Sequence, residues 1–152
     1  MSHAAMDIKD FAAIAPGVVS GMRALEKGVE AARLDKSLIE LLKIRISQFN
    51  GCGYCLQYHL NLARKLGVAP AKTDLVAVWR EVDIFDSREQ AALAWGEALT
   101  RMGETPVPGE IHEALKPHFS TGEIAHLTGA IAHINAWNRI AGALRFAPPI
   151  PE

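Results

Sequence analysis

Long apolar runs are missing from this sequence. Although 49% of the 152 residues are hydrophobic, each run of them is short and broken by charge, far below the roughly 20 residues needed to cross a bilayer. No membrane span is expected. A dominant charge is missing too: 16 basic and 17 acidic residues, well mixed, leave a net charge of −1, so there is no broad positive field for nucleic acid or anionic lipid. Neither is an expected partner. The start, Met1 to Asp7, lacks a basic stretch followed by an apolar one, so no secretory leader is read and a cytoplasmic location is expected. Cysteine is scarce, with only Cys52 and Cys55. In a reducing compartment, two cysteines three positions apart argue for redox or metal chemistry rather than a structural disulfide framework. A bridge across so short a loop adds little stability through chain entropy.

The length fits one domain over residues 1–152, and a chain of this size buries roughly two-thirds of the surface it exposes when unfolded. Apolar residues recur at helical spacing. Val18, Met22, Leu25, Val29 and Ala32 form a stripe on a helix starting near Pro16, predicted to face the core. A second helix runs from about Leu38 to Phe49, with Asp35 and Ser37 as candidate caps and Asn50-Gly51 as a stop. It is apolar nearly all round. A third begins within Cys52–Cys55 and ends at Gly67, a favoured terminator. Further helices are read at 70–79, 87–102, 108–117 and 121–145, while Pro148-Pro149-Ile150-Pro151 cannot be helical. No window alternates like a strand. The expected class is therefore all-α, a bundle of about seven helices. The segments Leu38–Leu66 and Glu123–Phe146, with Asn50 and Asn135, hint at a degenerate repeat.

The chemistry concentrates in Cys52-Gly53-Tyr54-Cys55-Leu56-Gln57-Tyr58-His59. A cysteine at a helix start feels the helix dipole and unpaired backbone donors, which favour thiolate over thiol. A second cysteine within one turn can capture the oxidised first sulfur as a disulfide. His59 lies four residues beyond Cys55 on the same face, where an imidazole can relay a proton. Zinc is a competing reading, since two Cys and a His supply three of its four ligands, although no second cysteine pair or obvious fourth ligand is present. Two buried core cysteines are another. Haem attachment requires His directly after the second Cys, where Leu56 stands, and thioredoxin-like chemistry requires a βαβ setting. Glu40 is the other unusual residue, with apolar neighbours on both sides. It is either the cap of a solvated edge or a carboxylate that burial raises into the range of a general acid or base. Spacing alone does not show that it meets His59.

Glu40, then twelve positions to Cys52, then Gly53-Tyr54-Cys55, then His59 resembles the Glu…Cys-x-x-Cys-x-x-x-His signature of the alkylhydroperoxidase D and carboxymuconolactone decarboxylase superfamily. The likeness extends through Ser87-Arg88-Glu89-Gln90-Ala91-Ala92-Leu93 to Asn135-Ala136-Trp137-Asn138-Arg139. The resemblance implies a thiol peroxidase in which Cys55 attacks a hydroperoxide, Cys52 resolves the sulfenic acid, and His59 with Glu40 relays protons. It implies a helical homo-oligomer, a trimer or hexamer, reduced by a dithiol or a lipoylated protein, and no cofactor. The paired cysteines favour the redox branch, because the decarboxylase branch lacks them. Tyr54 departs from the best-known member, which has a second histidine there, and a phenol is a poor proton shuttle at neutral pH. On the family role and the shared stripe with His59, Cys55 is expected to have the lower pKa. A disulfide reductase, a decarboxylase-type enzyme and a zinc-binding helical module remain the alternatives.

His112, His118, His126 and His133 are read as structural rather than metal-binding, even though His126 and His133 lie seven apart. Trp79, Trp95 and Trp137 are read as core or interface. The amides and guanidinium of Asn135, Asn138 and Arg139 need partners in an apolar helix, and this motif is read as structural or subunit-contacting. The apolar helix Leu38–Phe49 and the long C-terminal helix suggest more apolar surface than one chain covers, so part of it is expected between subunits.

Overall fold

In the computed structural model, which describes residues 5–151, eight α-helices follow one another. They are α1 (Ile8–Ile14), α2 (Pro16–Glu30), α3 (Lys36–Phe49), α4 (Gly53–Leu66), α5 (Pro70–Leu75), α6 (Ser87–Thr100), α7 (Gly109–Glu113) and α8 (Thr121–Ala143), with a 3-10 segment at Val76–Glu81. The fold is all-α, with no strand among the described residues. Met1–Ala4, the beginning of the segment read for a leader, lie outside the described residues. No helix of the described residues is long and apolar enough to cross a membrane.

Local chemistry sets most boundaries. Asp7, Asp35, Asp86 and Ser120 each cap a helix by accepting a backbone N–H. The last two form full capping boxes with Glu89 and Glu123. Pro16 and Pro70 stand in the first turns of α2 and α5, where a missing N–H costs nothing. Gly67 closes α4 at φ 74, a left-handed value that glycine adopts without steric penalty.

Several expectations are corrected. The stretch 70–79 is not one helix: α5 stops at Leu75, and the tighter 3-10 path turns both Val76 and Trp79 inward at i and i+3, with Val78 at a non-helical φ/ψ. The helix read at 108–117 ends at Glu113, and Lys116 precedes Pro117, a position disfavoured for α geometry. The α2 stripe faces the core only in part, since Met22, Val29 and Ala32 are half-buried while Val18 and Leu25 are exposed. The two halves of the suspected repeat differ, one being two helices around a corner and the other a single helix of 23 residues. Helix α1 has no counterpart among the helices expected from the sequence.

The apolar α3 runs through the middle, packed by α4, α6, α8 and the 3-10 segment. Leu41, Leu42, Ile44 and Ile46 are wholly buried, each contributing about 1.5–3 kcal/mol. Most of its apolar surface is thus covered from within the chain. One buried carboxylate ties three of these elements together. Glu97 of α6 accepts from Arg45 Nε at 2.6 Å, Arg80 Nη1 at 2.7 Å and Trp79 Nε1 at 3.0 Å. Burial pushes its pKa up, but these donors outweigh burial and hold it below the usual carboxylate range.

Candidate functional site

The site is built at the corner between α3 and α4. Asn50 ends α3, Gly51 turns the chain at φ 66, and the Cys52 N–H closes back on the Ser47 carbonyl at 3.0 Å. That closure is the six-to-one bond of a Schellman turn. Extended Cys52 then caps α4, its Sγ accepting the Cys55 N–H at 3.3 Å. A Gly51→Ala variant has open space for its methyl group, so its cost is backbone strain alone, about 1–2 kcal/mol. Denaturant unfolding is expected to show that loss.

Helix α8 locks the corner from the other side. Asn50 Nδ2 donates to Asn138 Oδ1 at 2.8 Å and to Asn135 Oδ1 at 3.0 Å, while Asn138 Nδ2 donates to Ser47 Oγ at 3.1 Å. Arg139 Nη1 donates to the Asn135 carbonyl at 2.9 Å and to Asn135 Oδ1 at 3.0 Å. The polar cluster read from sequence therefore finds its partners within the chain. Asn138 does more than tie helices, because its amide also bears on both sulfurs and favours their thiolates.

The four residues singled out in the sequence come together here. Glu40 and His59, both buried, meet through Glu40 Oε2 and His59 Nδ1 at 2.7 Å. The capping alternative for Glu40 is thereby corrected. With Nδ1 engaged, the ring offers its Nε2 elsewhere. Cys55 and His59 line a chamber of about 210 Å³, walled by Tyr54, Tyr58, His133 and Trp137. Cys52 is not part of that wall. Residues from α1 and α2 complete the chamber, among them Ile8, Arg23 and Glu26. Helix α1 is anchored through Phe11, whose ring lies 5.7 Å from that of Phe146, which in turn meets Tyr54 edge-on at 5.5 Å.

The acidity of the pair reverses the sequence expectation. Both cysteines are free and buried. The Cys55 thiol hydrogen bond and the Cys55 backbone N–H stabilise charge on Cys52, with help from Asn138, and outweigh burial to bring its pKa down to about 7. Donating to Cys52 and being buried push Cys55 up. Above about pH 7 the pair thus holds one proton, with the charge on the capping sulfur. Titrating thiolate absorbance should show one thiolate per chain appearing with a midpoint of about 7. Asn138→Ala should move that midpoint upward by removing a stabilising donor.

His133 and Trp137 were missed as site residues. Trp137 Nε1 donates to His133 Nε2 at 3.1 Å, leaving the other ring nitrogen to carry the proton toward the Met22 backbone. Burial, then nearby Lys43, lower the His133 pKa and keep the ring neutral near pH 7. Trp137 packs against the core as read and lines the chamber as well, while Trp79 and Trp95 are buried. His126 bonds the Gly122 carbonyl instead of joining His133. Among the described residues no group of three His, Cys, Asp or Glu is placed to hold a metal ion, and Cys52, Cys55 and His59 form no such set.

A helical chain with this corner and this Glu–His pair belongs to the carboxymuconolactone decarboxylase family, whose sequence model matches residues 16–98. Among its relatives is an uncharacterised Bacillus subtilis (strain 168) protein, YdfG, 34% identical over 131 residues, which span 86% of this chain and 89% of that one. The crystal structure of a protein of unknown function from Agrobacterium tumefaciens, proposed as the antioxidant defence protein AhpD, is 37% identical with a TM-score of 0.88. That match covers 93% of this chain and 97% of the other. An uncharacterised peroxidase-related protein from Ralstonia eutropha JMP134, with an alkylhydroperoxidase AhpD core, shares the fold at 23% identity. There the TM-score is 0.79, over 90% of this chain and 73% of that one.

Proposed function

We propose that this protein is a thiol-dependent peroxidase that reduces organic hydroperoxides through Cys55 and Cys52. The observation that carries the reading is a cysteine in the chamber wall one helical turn from a histidine whose far nitrogen is held by a buried carboxylate at 2.7 Å. The attacking role of Cys55 is supported by access, since Cys55 lines the chamber and Cys52 does not.

Transfer of the shared proton from Cys55 to Cys52 places the reactive charge on Cys55. Its sulfur attacks the outer oxygen of the hydroperoxide, the O–O bond breaks, and protonated His59 delivers a proton from Nε2 to the departing alkoxide. Glu40 orients the imidazole and stabilises its charged form. The Cys55 sulfenic acid is then attacked by Cys52, giving a disulfide and releasing water. An external dithiol, small or carried on a lipoylated protein, reduces the disulfide and closes the cycle. Tyr54 and Tyr58 are held neutral by burial, which raises both phenols. They therefore serve as walls and hydrogen-bond donors rather than proton shuttles.

The test is consumption of an alkyl hydroperoxide by the purified protein with dihydrolipoamide as donor. Stoichiometric alcohol formation supports the reading. Alcohol formation no faster than in protein-free controls overturns it.

We also propose a homo-oligomer, a trimer or hexamer, assembled through the exposed apolar positions Ile14, Val18 and Leu25 rather than through α3. Light scattering at micromolar concentration is expected to give the mass of a trimer or larger.

A further inference from the structure

Behind the Glu40–His59 pair lies a second and larger cavity, a groove of about 730 Å³ bounded by α2, α3, α4 and α8. That volume falls within the range of small-molecule sites. Glu26 and His133 belong to the walls of both cavities, whereas Glu40 opens only onto the groove. Its flanks are apolar, formed by Val29, Ile39, Leu62 and Leu66. Charge is distributed along it unevenly. Arg33, Lys36 and Lys65 are exposed or half-exposed at its edge, and Lys43 is sunk in its wall at 6% exposure.

Lys43 is the odd group. An ammonium carries three donors and no acceptor; the stem of Lys43 is buried while its Nζ still opens onto the groove, since among the described residues the sealed side-chain polar atom without a partner is Gln48 Oε1. Lys43 makes no hydrogen bond to any described residue; its one ion-pair partner, Glu26, stands 3.5 Å away with 47% of its side chain in solvent. The other carboxylates of the groove do not supply the match, since Glu40 is engaged by His59 and Glu30 is exposed at the edge. An anionic oxygen on an apolar body complements Lys43 and these flanks.

We propose that this groove binds an amphipathic monocarboxylate, an aliphatic acid whose head group sits on Lys43 and whose chain lies along Val29, Ile39, Leu62 and Leu66. The edge cations draw the anion in; the Lys43 ammonium, held in the wall on a buried stem, fixes its head. This ligand is distinct from the hydroperoxide, and its binding does not depend on the cysteines. Its carboxylate would lie one helical turn along α3 from Glu40, the carboxylate that holds His59.

The test is calorimetry with decanoate on the full chain, with decanol as the uncharged control. Saturable binding of one decanoate per chain is expected in the wild type and unchanged in Cys55→Ser, so the outcome is independent of peroxidase activity. Decanol and the Lys43→Gln variant should each bind roughly tenfold or more weakly, the scale of a lost charge-assisted hydrogen bond. Lys43→Arg should retain binding. The decanol comparison needs no variant and holds even if Lys43→Gln folds poorly. Equal binding of decanoate and decanol overturns the proposal, as does the absence of saturable binding, the result expected if another copy of the chain covers the groove.

Discussion

Replacing Cys55 with serine is expected to abolish hydroperoxide turnover, whereas replacing Cys52 leaves one oxidation per chain and then stalls. The difference follows from position. Cys55 lines the chamber and Cys52 does not, so in the proposed mechanism Cys55 meets the peroxide and Cys52, within a helical turn, resolves it. The reversed acidity sharpens the expectation. In the resting pair the largest influence raising Cys55 is its hydrogen bond to Cys52, and Cys52→Ser exchanges that thiolate acceptor for a neutral hydroxyl that can donate to Cys55 instead, leaving burial as the main brake. The single oxidation of Cys52→Ser should therefore survive, with the sulfenic acid trapped by dimedone and seen by mass spectrometry. Cys55→Ser should form no such adduct, and wild-type turnover in Cys55→Ser would be fatal to the mechanism.

His59→Ala and Glu40→Gln should slow that first oxidation while leaving both sulfurs in place. A positioned acid–base group contributes roughly 10²–10⁴-fold, and His59→Ala should lose most of that range because the proton donor itself is gone. Glu40→Gln should lose less, since an amide can still hold Nδ1 while no longer stabilising an imidazolium. Stopped-flow oxidation of the two variants measures both losses. Rates for both variants equal to wild type would remove the relay from the mechanism.

Much of α4 was legible because its ends are decided by neighbours in sequence: Cys52 caps the helix and Gly67 stops it. Glu40 and His59 were legible as residue types, but not as a pair. Their bond depends on how α3 crosses α4, which no local spacing encodes. The α2 stripe misled for a related reason. Periodicity shows that one face is apolar, yet whether that face meets the core is set by the helices around it, and here Val18 and Leu25 face outward. Helix α1, with seven residues, is too short to show a periodic pattern. Asn138 and His133 were hidden by distance, reaching the corner and chamber from more than 70 residues away along the chain. The acidity order was misjudged because the choice of capping atom is made in three dimensions; Cys52, not Cys55, points its sulfur at the open end of α4.

One stretch of α8 serves two tasks at once. His133 and Trp137 form the chamber wall, and the next residue, Asn138, supports the thiolates and ties down the corner. These side chains share a rigid rod, so a substitution that rotates it to admit a bulkier substrate also moves the amide away from the sulfurs. Drift in specificity and drift in thiol reactivity are therefore inherited together. A lineage or a laboratory selection that reshapes the chamber through this helix should need a compensating change at the α3–α4 corner, and α1 and α2, which touch the chamber without bearing on Cys52, offer the freer route to new substrates.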